Sequence, residues 1–131
     1  MPLAQKNDAD ATTRIIHAFW RSAAARDWNT FAALLHHEVV YDVPQTRERV
    51  RGSTAYVEFN RCYPGNWTLE TRSLVADGDE AVTRVAFTVN GETATGITFF
   101  SLRDGLIDKI VDYWPEAYEP PVRLSAGVER Y

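Results

Sequence analysis

Three glycine-bearing turn signals at near-regular spacing in the C-terminal half leave this chain few folds to choose from. "NWTLETRSLVA" runs to "DGD", "EAVTRVAFTV" to "NG" and "ETATGITFFSL" to "RDG", and "LIDKIVDYW" closes the series. Asp-Gly and Asn-Gly between alternating apolar segments are strong hairpin signals, because both tolerate the positive φ that a tight two-residue turn requires. Four strands in an antiparallel meander are therefore expected from about residue 66 to residue 114.

The N-terminal half has a different period. In "DATTRIIHAFWRSAAARD" the residues Ile15, Ile16, Phe19, Trp20 and Ala23 share one stripe, which predicts an amphipathic helix from about Asp10. Asp27 is placed to cap a second, shorter helix with Phe31, Leu34 and Leu35 inward, closing at His36 and His37. "EVVYDV" reads as a short strand stopped by Pro44, and "QTRERVRG" as a charged loop. "STAYVEFNRCYPG" then reads as a third helix with a Ser cap, bearing Tyr56, Phe59 and Tyr63 at helical spacing until Pro64 and Gly65 end it. Helices first and a meander after them define an α+β fold with the helices packed on one face of the sheet.

The chain of 131 residues is read as one domain, 1–131, with residues 1–10 frayed and 115–131 forming a tail. That tail, "PEAYEPPVRLSAGVERY", is too apolar for a free linker and is expected to lie over the cavity mouth or along a partner subunit. The net charge of -4 argues against nucleic acid as a partner, since such domains carry a basic face. No run approaches membrane-spanning length, and "MPLAQKNDAD" lacks the apolar stretch of a signal peptide, so a cytoplasmic setting is expected. The single cysteine, Cys62, excludes an internal disulfide and a cysteine-based metal cage. "HHE" at residues 36–38 is rejected as a metal site because adjacent side chains diverge and no third ligand stands at metal-binding spacing. No cofactor is expected.

Several segments in this order resemble the nuclear transport factor 2-like superfamily, and its SnoaL-like, polyketide cyclase-like branch in particular. They are the spacing of Trp20, Asp27 and Trp28, "VVYDVP" at 39–44, "RG" at 51–52 and "DGLIDKIVDYW" at 104–114. The resemblance extends from about Thr12 to Pro121. It implies a curved sheet wrapped around the three helices as a cone, a small apolar or aromatic molecule in that cone, and a homodimer joined through the outer sheet face. It also implies a catalytic Asp on the last strand, near Asp112, and a Tyr on the first strand at the position of Tyr41. The related epoxide hydrolases require an Asn where this chain has Val43 and an inner-strand carboxylate where it offers only Arg84, so their full set is not present.

Strand alternation puts Ile110, Asp112 and Trp114 on one face and Lys109, Val111 and Tyr113 on the other, and both faces contain apolar residues. The pattern alone does not choose between them; the resemblance assigns Asp112 to the cavity, while a solvated Asp112 or one that only braces a neighbour is the plain alternative. A carboxyl group among aromatic walls is a candidate for proton transfer, because desolvation raises its pKa toward neutrality. Tyr41 is the candidate donor to a substrate carbonyl or to Asp112. Trp20, Phe59, Asn60, Trp67 and Trp114 are candidates for the wall, with ordinary core packing as the competing role for most of them. His17, beside the apolar stripe, is a candidate second proton carrier, although a surface histidine is the commoner case. Arg47, Arg49 and Arg51 either steer an anion to the mouth or form a solvated loop.

Overall fold

The computed structural model describes residues 8–131. Three helices, α1 (Ala9–Ala25), α2 (Trp28–Ala33) and α3 (Ser53–Arg61), accompany six strands: β1 (Leu35–Val43), β2 (Glu48–Arg51), β3 (Thr68–Asp77), β4 (Glu80–Val89), β5 (Glu92–Arg103) and β6 (Leu106–Tyr113). The strands form one mixed sheet in the order β2-β1-β6-β5-β4-β3, with β1 parallel to β6 and every other pair antiparallel. The α+β architecture expected from the sequence is the one observed.

Local chemistry explains most of the elements. Asp8 caps α1 by accepting from the backbone N–H of Ala11, so the helix starts slightly earlier than its apolar stripe suggests. The expected fraying of the first ten residues otherwise falls on residues 1–7, outside the described residues. Asp27 caps α2, accepting from both the backbone N–H and the hydroxyl of Thr30. The loops Asn90–Gly91 and Asp104–Gly105 have positive φ at both positions, the turn geometry that their sequences demand.

Three expectations need correction. Leu35, His36 and His37 do not finish α2; they open β1, because Leu35 pairs with Ile107 and the Ile107 N–H donates to the Leu34 carbonyl. "ERVR" is not a loop but the edge strand β2, held against β1 by pairs from Val40–Arg51 to Val43–Glu48. On the outer face of that ladder Arg49 forms a two-pronged ion pair with Asp42, and Lys109 of β6 donates to the same carboxylate at 2.8 Å. These contacts hold the Asp42 carboxyl well below the usual carboxylate range, the hydrogen bonds from Arg49 and Lys109 being the main cause. Finally, Ser53 does not cap α3: Gly52, at a φ of 89°, occupies the cap position with no side-chain bond.

The inward side of the sheet faces all three helices. Ile16, Phe19, Phe31, Val39, Phe100, Ile107 and Ile110 are essentially inaccessible and form the packed base of the cone. Ile107 and Ile110 both point inward despite their odd spacing, because the β5–β6 register shifts between Ser101 and Leu102. That bulge adds one residue to β6 and resets its alternation.

Candidate functional site

Above this base the packing opens. A narrow cavity of about 60 Å³ lies between the three helices and the inner faces of β1 and β3 to β6. At ~10–15 Å³ for each water, that is room for about four to six water molecules, or for one small organic molecule. Aromatic side chains make up more than half of the lining, and among the described residues Asp112 is the one charged group in it.

Asp112 enters from the inner face of β6 and is only 7% exposed. Thr98 lies directly opposite it on β5, and the Thr98 hydroxyl donates to Asp112 Oδ1 at 2.5 Å. From the other side comes β1, in which Tyr41 pairs with Ile110, one inward position before Asp112. The Tyr41 hydroxyl donates to Asp112 Oδ2, also at 2.5 Å. Burial pushes the pKa of Asp112 up; the hydrogen bonds from Thr98 and Tyr41 pull it down, and burial prevails. Tyr41 is pushed far above its ordinary range, by its own burial first and then by the charge of Asp112, so it remains a protonated donor.

The wall follows from the packing of rings. Tyr41, Tyr56 and Phe59 cluster with centroids 4.8 to 6.4 Å apart beside the carboxyl group. Tyr56 is buried and likewise held protonated, by burial and then by the Asp112 charge. Asn60 lines the cavity while its amide donates to the Tyr56 carbonyl at 2.8 Å, one turn back on α3. Trp20 is oriented by a bond from its indole N–H to Thr83, the cross-strand partner of Thr98. Trp114 lies against Gly96, where an added Cβ would come within 3.1 Å of the indole. Its backbone is fixed by Gln45, whose amide N–H donates to the Trp114 carbonyl at 2.9 Å.

Trp67 is held from outside. Arg26, at the end of α1 with a φ of 59°, lays its guanidinium 3.4 Å from the centroid of the Trp67 ring and donates to the Trp67 carbonyl. The same indole stacks on Phe87 within the cavity at 5.6 Å.

Of the residues singled out in the sequence, Asp112, Tyr41, Trp20, Phe59, Asn60, Trp67 and Trp114 meet at this cavity. Two do not. His17 is exposed and borders a separate surface groove with Arg21, because it points about 100° away from the inward stripe of Ile16. Ile110 shares the face of Asp112 but lies one inward step deeper, wholly within the packed core. Arg49 is committed to Asp42 rather than to the mouth. Sequence reasoning missed Thr98, Tyr56, Phe87, Gly96 and Arg26. Tyr56 was visible as an inward position of α3; Thr98 depended on a register that the bulge alters. The tail residues Tyr118 and Leu124 are 84% and 101% exposed, and no residue beyond Trp114 lines the cavity. Among the described residues no group of three His, Cys, Asp or Glu side chains is placed to hold a metal ion. No described helix is long and apolar enough to cross a membrane.

A mixed sheet curled over N-terminal helices, with an aromatic cavity at its open end, defines a nuclear transport factor 2-like domain. The chain belongs to the SnoaL-like domain family, whose profile matches residues 16–113. Among solved structures it is similar to a "putative ketosteroid isomerase" from Kribbella flavida DSM 17836, at 40% identity and a TM-score of 0.88, covering 95% of this chain and 92% of that one. A "putative polyketide cyclase" from Xanthomonas campestris pv. campestris shares the fold at 21% identity and a TM-score of 0.68, over 83% of this chain and 93% of its own. An "LEH-like epoxide hydrolase" from M. tuberculosis does so at 23% identity and 0.68, over 82% of this chain and 84% of its own. No curated protein matches the chain.

Proposed function

We propose that this chain is a small-molecule pocket protein, and a cofactor-independent enzyme of cyclase, isomerase or lyase type. In this reading Asp112 moves a proton on an apolar or aromatic substrate, Tyr41 positions the acceptor, and Trp20, Phe59, Asn60, Trp67 and Trp114 form the binding wall. One observation carries it: among the described residues Asp112 is the only charged side chain lining a mainly aromatic cavity. Burial brings its proton affinity toward the range in which a carboxyl group both accepts and returns a proton. Isomerisation and cyclisation, the reactions in the names of two similar structures, shift protons without net oxidation, which suits a lone carboxyl group.

The test is deuterium exchange. Single-ring ketones incubated with the protein in deuterium oxide should gain label beside the carbonyl, and Asp112→Asn should lower the rate at least ~100-fold, the usual scale for a general base. Exchange unaffected by Asp112→Asn removes Asp112 from the mechanism.

A second reading, a non-catalytic binding module, is favoured by one feature: both oxygens of Asp112 already accept from hydroxyl groups, as a structural brace between β1, β5 and β6 would. Binding without exchange supports it. We also propose a homodimer through the outer sheet face, where Val75, Phe99 and Tyr113 stand exposed, in a cytoplasmic setting.

A further inference from the structure

The aromatic cavity contains a carboxyl group with no cation to balance it. Its lining includes no Lys, Arg or His among the described residues. Both contacts that Asp112 receives, from Tyr41 and Thr98, are neutral hydroxyl donors. A carboxylate offers about four lone-pair positions, so each oxygen keeps one for a further donor. The rings around it carry negative π-faces, and those of Tyr41, Tyr56 and Phe59 crowd the same end of the cavity. The wall already holds one cation, on its outer side, where the Arg26 guanidinium lies over Trp67. At long range the net charge of -4 draws cations and repels anions.

We infer that the cavity selects a cationic ligand of single-ring size, a protonated amine whose ammonium group meets Asp112 while its ring lies among the aromatic side chains. The assignment names the ligand class of the site proposed above and rests on that cavity being the one in use. Size is bounded by the volume: at about 60 Å³, against ~150 Å³ for an apolar cavity that takes up benzene, the ligand is no larger than a single ring and displaces wall side chains on entry. Charge follows from the lining: an anion would face Asp112 and π-faces with no counter-charge, whereas a cation pairs with Asp112 and lies against the π-faces. A cation within hydrogen-bond reach favours the ionised carboxylate and so offsets the burial that works against it. Transfer of one proton from such a cation to Asp112 breaks an N–H bond and forms a carboxyl O–H bond. The electron pair stays on the ligand, and two buried charges become two neutral groups.

Trp20, Trp67 and Trp114 line the cavity, so tryptophan fluorescence reports occupancy directly. The wild-type protein is titrated at pH 7 with benzylamine, benzyl alcohol and benzoate, which differ in charge at nearly constant size. Benzylamine should bind roughly tenfold more tightly than benzyl alcohol, with no saturable binding of benzoate. In Asp112→Asn, shown folded by circular dichroism, benzylamine should fall to the level of benzyl alcohol. Benzyl alcohol or benzoate binding as tightly as benzylamine overturns the inference, as does saturable binding of none of the three; so does a preference that survives Asp112→Asn. Because no turnover is read, the two tests are separable: the charge selectivity can hold where exchange fails and can be absent where exchange succeeds.

Discussion

Thr98 and Asp112 face each other across β5 and β6, and the Thr98 hydroxyl donates to the Asp112 carboxyl at 2.5 Å. The contact bears on the charge of the cavity, because it is one of two hydrogen bonds among the described residues that oppose the effect of burial on that group. Thr98→Val removes the donor and keeps the shape. It should raise the Asp112 pKa further, measured by the carboxyl stretch in infrared titration, and cost about 1–2 kcal/mol in urea denaturation. An unmoved carboxyl titration would show that the hydroxyl does not influence Asp112.

Asp112 itself should make the protein less stable as pH rises. Its folded-state pKa lies above the unfolded value near ~3.9, so the folded state holds the proton longer. Stability is therefore lost as pH climbs from the unfolded value through the folded one. Asp112→Asn abolishes that titration. The melting temperature of the variant relative to wild type should increase from pH 4 to pH 8, and a difference independent of pH would contradict the upward shift.

Gly96 sets the width of the cavity through Trp114. A Cβ there would meet Trp114 Cη2 and Cζ3 at 3.1 Å, so Gly96→Ala must push the indole toward the open space. The variant should remain folded, lose about 1–3 kcal/mol from overpacking and bind single-ring ligands more weakly in fluorescence titrations. Unchanged affinity would place the ligand away from Trp114.

The outer sheet face makes its own prediction. Phe99 is 48% exposed and packs edge-on against Tyr113, while Val75 is 65% exposed. Exposed apolar side chains grouped on one face are what the proposed dimer would cover. Light scattering at micromolar concentration should give a dimer mass for wild type and a monomer mass for Phe99→Arg. A wild-type monomer would exclude the proposed homodimer under those conditions.

Much of this protein was readable without coordinates because the relevant physics is local. The turns at Asn90–Gly91 and Asp104–Gly105 fix the meander through backbone preferences of two residues each. The stripe of Ile16, Phe19 and Ala23 fixes which side of α1 is buried, and Asp27 marks where α2 starts. What failed was whatever depended on a distant partner. "ERVR" has the composition of a loop and becomes a strand only because β1 lies beside it. His17 sits next to buried Ile16 in sequence, but the helical turn carries it to the other side.

The site shows the same division most sharply. Alternation in the sequence put Asp112 on one of two faces and left the choice open. The parallel pairing of β1 with β6, between residues some seventy positions apart, brought Tyr41 to the carboxyl group. Counting back from the Asp104–Gly105 turn would set Ile97 opposite Asp112; the bulge in β6 sets Thr98 there instead. Sequence by itself determined the three helices, β1, the four-strand meander, their order and the family, since those rest on turn chemistry and periodicity within short windows. Tertiary structure alone decided that the carboxyl group faces inward, what donates to it and how much space stands before it. Those properties arise from registers between strands far apart in the chain, which no local pattern encodes.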